Sequence, residues 1–102
     1  MLKELSSANE FNSTVANGVH VVDFYANWCA PCMAMSPFLH ELASTNPSFS
    51  ILKVDIDNHY ELAKAHNVRA VPTIMFFKDG KLKDTVVGSL SKADILAKIA
   101  TL

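Results

Sequence analysis

Glycine occurs only three times and proline four times in these 102 residues, too few for a collagen-like repeat or a flexible low-complexity chain. No sign of charge is in excess: nine lysines and arginines face ten aspartates and glutamates, so nothing in the balance draws the chain to nucleic acid or to an acidic membrane surface. Long apolar runs are absent too, none approaching the ~18 residues of a membrane span. The opening stretch Met1-Leu2-Lys3-Glu4-Leu5-Ser6 carries charges where a secretory leader would be apolar, so a cytoplasmic location is expected. Cysteine is the scarcest informative residue, with two. Two thiols three positions apart exclude a stapled secreted scaffold, because so short a bridge removes little entropy from the unfolded chain. They also leave a closed structural zinc site short of thiolates.

What is present is a core. Half of the residues are hydrophobic, and a chain of this length can bury roughly 65% of its unfolded surface. A single domain spanning residues 1–102 is expected. Cys29 and Cys32 have a spacing that chance gives about one time in fifty. In a reducing compartment such a pair is a working dithiol rather than a permanent crosslink.

Ser7-Ala8-Asn9-Glu10 reads as a capping box opening a short helix that Asn17-Gly18 ends. Val19 to Tyr25, rich in β-branched and aromatic residues and apolar at alternate positions on both sides, predicts a central strand covered on both faces. Asp23 lies inside it, where an unpaired carboxylate is costly. From about Cys32 to Thr45 the apolar period becomes helical, with Pro37 predicting a kink. Ile51–Ile56 reads as a second buried strand and Tyr60–His66 as a short helix. Asp79-Gly80 joins Thr73–Lys78 to Leu82–Val87 as a hairpin. Ser91-Lys92-Ala93-Asp94 opens a last amphipathic helix, and Leu2–Leu5 is a weak edge strand. The order predicts an α/β fold, with a central mixed sheet of four to five strands flanked by helices on both faces.

Cys29 stands at a strand-to-helix junction, the usual place for a site in an open α/β sheet. Free N–H groups and the positive dipole end of the helix there favour a thiolate. Cys32, a turn further in, is expected to be more buried and to keep its proton. That asymmetry assigns Cys29 to attack a disulfide and Cys32 to resolve the mixed disulfide. No basic residue occurs between Lys3 and Lys53, so the activation falls to the helix terminus.

Val22-Asp23-Phe24-Tyr25-Ala26-Asn27-Trp28-Cys29-Ala30-Pro31-Cys32 resembles the active-site strand and loop of the thioredoxin family. Val68-Arg69-Ala70-Val71-Pro72-Thr73 with Phe77-Lys78-Asp79-Gly80 resembles that family's second conserved stretch. The likeness implies a thioredoxin fold and a protein-disulfide reductase that acts as an electron carrier with no bound cofactor. It would be re-reduced from NADPH through a flavin-dependent thioredoxin reductase. Clients would be disulfide-bearing proteins such as reductases and peroxidases, and the chain a monomer without nucleic-acid or membrane partners. Pro72 would be the family's cis-proline and Asp23 the buried carboxylate that takes the Cys32 proton, with Lys53 nearby. Trp28, Ala30, Pro31, Ala70, Val71 and Gly88 would form the docking surface, with no metal. From the residues alone Trp28 is equally a core residue, Gly88 a strand-end bulge and Pro72 a turn residue.

Four positions depart from the family's commonest pattern. Ala30 stands in place of Gly, Met33 in place of a basic residue, Tyr25 in place of Trp, and Ala70 in place of Gly. None removes a catalytic group. On sequence, three other readings stay open: an oxidase or isomerase on the same fold, a binding module with an incidental dithiol, and a metal site using Cys29, Cys32 and histidines. The histidines His20, His40, His59 and His66 are scattered, and none lies between the cysteines.

Overall fold

A computed structural model describes residues 1–102. The elements in chain order are β1 (Leu2–Glu4), α1 (Ala8–Val15), β2 (Val19–Tyr25), α2 (Ala30–Thr45), β3 (Ser50–Asp55), α3 (Tyr60–Ala65), β4 (Thr73–Lys78), β5 (Lys81–Val87) and α4 (Lys92–Ala100). They form one sheet ordered β1-β3-β2-β4-β5. β3 runs parallel to both β1 and β2, and β4 turns antiparallel to β2. The mixed sheet expected from the sequence thus has five strands, with the weak edge strand included.

Alternation along the strands sends successive side chains to opposite faces. Val22, Phe24, Leu52 and Val54 pack with Phe11 and Val15 of α1 and Leu62 of α3. Val21, Ile51, Ile74 and Phe76 pack with Met35, Leu39 and Leu42 of α2 and Ile95 of α4. Both faces of β2 are therefore covered, which is why its sequence reads apolar at nearly every position.

Local chemistry fixes the ends. Asp79 (φ 50°) and Gly80 (φ 82°) both take positive φ, as a two-residue hairpin turn of the primed type requires. The turn is tied back to the α1–β2 connection by Gly18 N–H donating to Asp79 Oδ1 at 2.8 Å and Gly80 N–H donating to the Val15 carbonyl at 2.8 Å. The capping box at α1 forms in altered form. Ser7 Oγ accepts the Glu10 N–H at 3.1 Å, but Glu10 Oε1 accepts from the N–H of Ser6, not Ser7, at 2.8 Å. The start of α2 matters more, and it falls at the strand-to-helix junction expected at Cys29. α2 begins at Ala30, two residues before the apolar periodicity starts, because Pro31 falls in its first turn, where a missing N–H costs nothing. Cys29 is thereby the N-cap of the helix.

Candidate active site

The strand β2 ends at Tyr25, and the chain passes through Ala26-Asn27-Trp28 to the start of α2. At that junction Cys29 and Cys32 are joined as a disulfide with Cα atoms 5.2 Å apart. Cys29 is extended (φ −89°, ψ 106°), and its Sγ accepts the backbone N–H of Cys32 at 3.3 Å. A sulfur in the N-cap position replaces the usual Ser or Asp oxygen. The same N–H and the helix dipole would stabilise negative charge on Cys29 after reduction. The expected difference in burial is slight, 5% exposure for Cys29 against 2% for Cys32. Tyr25 and Ala26 pack with the pair, and Ile56 and Val71 close around it.

Around this buried pair lies an exposed apolar rim. Trp28 is 70% exposed, and Ala30, Pro31, Met33 and Ala70 are exposed as well. Trp28 is not a core residue: its ring is held over the surface by Nε1–H donating to Asp57 Oδ2 at 2.9 Å. Pro72 is buried and follows a cis peptide bond from Val71. The Pro72 carbonyl accepts the N–H of Gly88 at 2.8 Å, which brings Gly88 beside the Pro72 loop rather than leaving it as a strand bulge. Gly88 has φ 115°, and a side chain there would meet no atom within 4 Å, so backbone conformation rather than space calls for glycine. The Ala70 carbonyl accepts the Thr73 hydroxyl at 2.6 Å. Val71 is partly buried, and its own N–H and C=O join no hydrogen bond within the chain.

Asp23, two residues before Tyr25 on the same side of β2, is buried at 1% exposure, its Oδ1 without a hydrogen-bond partner. Its register partner on β3 is Lys53, itself only 6% exposed. Both share the α2 face, since Val21 and Ile51, two residues before them, pack against α2. Burial pushes the Asp23 carboxyl up to about 6, the Lys53 charge pulling against this and the Glu4 charge adding to it.

Two participants, Asp57 and Glu4, escaped the sequence reading. Asp57, which fixes Trp28, gives no local signal, being an aspartate in a polar loop. Glu4 accepts the Tyr25 hydroxyl at 2.8 Å, and the Lys53 ammonium lies 4.4 Å from the centre of the Tyr25 ring. No group of three His, Cys, Asp or Glu side chains converges anywhere in the chain as metal ligands would.

A cysteine pair capping a helix at the end of a central strand, with Val71 of a cis Val71–Pro72 bond packed against it and exposed apolar residues around it, defines a dithiol–disulfide exchange domain. The family model for thioredoxin matches residues 2–101, and the chain belongs to the thioredoxin family. Among curated relatives, thioredoxin of Chlamydia caviae is 41% identical over 99 residues, covering 97% of this chain and 96% of that one. Thioredoxin of Staphylococcus aureus is 41% identical over 87 residues, 84% of each chain. Among solved structures, oxidised mitochondrial thioredoxin 3 of Saccharomyces cerevisiae superposes with a TM-score of 0.88 at 34% identity, over 99% of this chain and 95% of that one. The sheet and helices described above are the thioredoxin fold. The protein is a thiol–disulfide oxidoreductase of the protein-disulfide reductase kind, its clients proteins that carry disulfides. No helix is long and apolar enough to cross a membrane.

Proposed function

We propose that Cys29 is the attacking thiolate and Cys32 the resolving thiol of a two-electron cycle, with Asp23 as the acceptor of the Cys32 proton. In the reduced protein Cys29 Sγ⁻ attacks one sulfur of a client disulfide. One new S–S bond forms, the client S–S bond breaks, and the other client sulfur leaves as a thiolate. Cys32 gives its proton towards the Asp23 carboxylate, attacks Cys29 Sγ and expels the second client thiolate. The client gains two electrons and the protein is left as the Cys29–Cys32 disulfide. The observation that carries this reading is the N-cap geometry: only Cys29 has its sulfur on a free N–H of the first turn of α2.

Client docking falls to Trp28, Ala30, Pro31, Ala70, Val71, Pro72 and Gly88. The unused N–H and C=O of Val71 suit an extended client segment laid alongside as an added strand. Lys53 acts on Asp23 through its charge. Electrons return from NADPH through a flavin-dependent thioredoxin reductase, and the working unit is a cytoplasmic monomer of one domain, residues 1–102. The test is insulin-disulfide reduction together with trapping of client adducts. Cys29→Ser abolishes turnover, and Cys32→Ser accumulates mixed disulfides on Cys29. Full turnover in Cys29→Ser, or adducts trapped on Cys32 instead, refutes the assignment.

A further inference from the structure

The parallel registers Glu4↔Lys53 and Asp23↔Lys53 line up three charged side chains on the α2 face of the sheet. An acid on β1, a base on β3 and an acid on β2 stand in one row, followed by Ile74 on β4. A buried lysine between two carboxylates would ordinarily close on one of them. Lys53 closes on neither: the ion pairs of the chain are Lys3–Glu10, Lys92–Glu41 and Lys98–Asp84. Its ammonium lies instead 4.4 Å from the centre of the Tyr25 ring, within the range of a cation–π contact. That ring is itself anchored. Tyr25 starts on β2, crosses above β3 and donates its hydroxyl to Glu4 Oε1 on β1 at 2.8 Å. At 8% exposure it has little room to swing away.

We infer that Tyr25 is a positioning residue for the proton acceptor: tied at its hydroxyl to Glu4, its ring seats the Lys53 ammonium between Asp23 and Glu4 and keeps it from closing on either. This rests on the reading of Asp23 as proton acceptor. A direct Lys53–Asp23 ion pair would hold the carboxylate ionised and make it a poor base near neutrality. Lys53 drawn fully to Glu4 would leave Asp23 without any cation. The Tyr25–Glu4 link holds the ammonium between these limits. The other groups around Asp23 do not compete for this role. Asp55 on β3 accepts from the N–H of Asp57 and from the Asn58 side chain. α2 presents the cysteine pair, while its His40 and Glu41 are exposed.

The arrangement predicts opposite effects from two neighbouring substitutions. In Tyr25→Phe the Glu4 carboxylate loses its donor and attracts Lys53, so the Asp23 titration moves upward. In Glu4→Gln the acceptor for Tyr25 stays but the charge goes, so the titration moves downward. With the two acids two strands apart, about 10 Å, each shift is about half to one pH unit. Tyr25→Phe in the Glu4→Gln background adds no upward shift. The measurement is the Asp23 carboxyl titration by carbon-13 NMR on the oxidised protein, alongside the pH profile of the resolving step in the reduced one. An Asp23 midpoint that Tyr25→Phe leaves in place, or raises equally with and without the Glu4 charge, overturns the inference. If Tyr25→Phe does not fold, Glu4→Gln still decides, since an unmoved or raised midpoint there refutes the coupling. Midpoints that shift as stated while the rate profile stays put support the Tyr25 inference and refute Asp23 as the proton acceptor.

Discussion

Asp23 ought to be a stability liability whose size can be stated. Its carboxyl is raised from an ordinary 3.8 to about 6, burial being the first cause. A carboxyl with a raised folded value holds its proton more tightly when folded than when unfolded. The contribution of Asp23 to stability is therefore most favourable below about 3.8, falls as pH climbs towards 6, and is flat above about 7. At 1.36 kcal/mol per unit, the ionised carboxylate costs about 3 kcal/mol at neutral pH. Asp23→Asn removes the titration and little else in volume. Urea unfolding of both proteins in the oxidised state, which keeps the cysteines from titrating, gives the difference in stability at each pH; all other groups cancel. The variant should gain on the wild type through the window from about pH 4 to 7, by about 3 kcal/mol in total, and hold that margin above it. In a domain of this size such a gain corresponds to roughly 10–20 °C in Tm. Curves that run parallel from pH 4 to 8 would show that burial does not strain this carboxylate, and the argument for its raised value would fall.

Two further outcomes test the walls of the site. Gly88→Ala should destabilise by about 1–3 kcal/mol through backbone strain alone, because φ is 115° and a Cβ would meet no atom within 4 Å; a neutral result in thermal unfolding would mean that the turn relaxes freely. Asp57→Ala should loosen Trp28, the chain's one tryptophan, whose indole it holds at 2.9 Å. An exposed hydrogen bond worth about 1 kcal/mol predicts about a fivefold fall in kcat/KM for insulin reduction with little loss of stability, together with faster decay of Trp28 fluorescence anisotropy; unchanged anisotropy would remove Asp57 as its anchor.

The sequence made most of the architecture legible because each element announces itself locally. β2 alternates apolar residues on both sides, α1 and α4 open on serine caps, and Asp79-Gly80 is a turn by its own stereochemistry. The start of α2 was legible as the strand-to-helix junction at Cys29, although its apolar period shows only from about Cys32, for a local reason as well. Apolar periodicity cannot begin before the first buried residue, whereas the helix begins with its cap and with Pro31. The dithiol was legible from spacing and position, and the apolar rim from composition around it. What stayed hidden depends on register. Tyr25 meets Glu4 across 21 residues and Trp28 meets Asp57 across 29, and nothing at either position marks the partner. Tyr25 stood out only as a departure where tryptophan is frequent, and its hydroxyl turns that departure into a link between β2 and β1.

The burial pattern also explains why a small domain tolerates such a carboxylate. About 3 kcal/mol is a large part of the 5–15 kcal/mol by which domains of this kind are stable, so packing alone would favour an apolar residue at position 23. The opposite face of β2 meets that preference with Val22 and Phe24 fully buried, and the face towards α2 meets it at Val21 and, on neighbouring β4, at Ile74. Along the α2 face of β2, Asp23 stands between Val21 and Tyr25, at the level of Lys53 and one step along the strand face from the cysteine cluster. A residue whose replacement stabilises the fold is not explained by the fold. The proposed resolving step explains it, because a base for Cys32 would have to be close to neutrality and shielded from water, and burial supplies both properties at once.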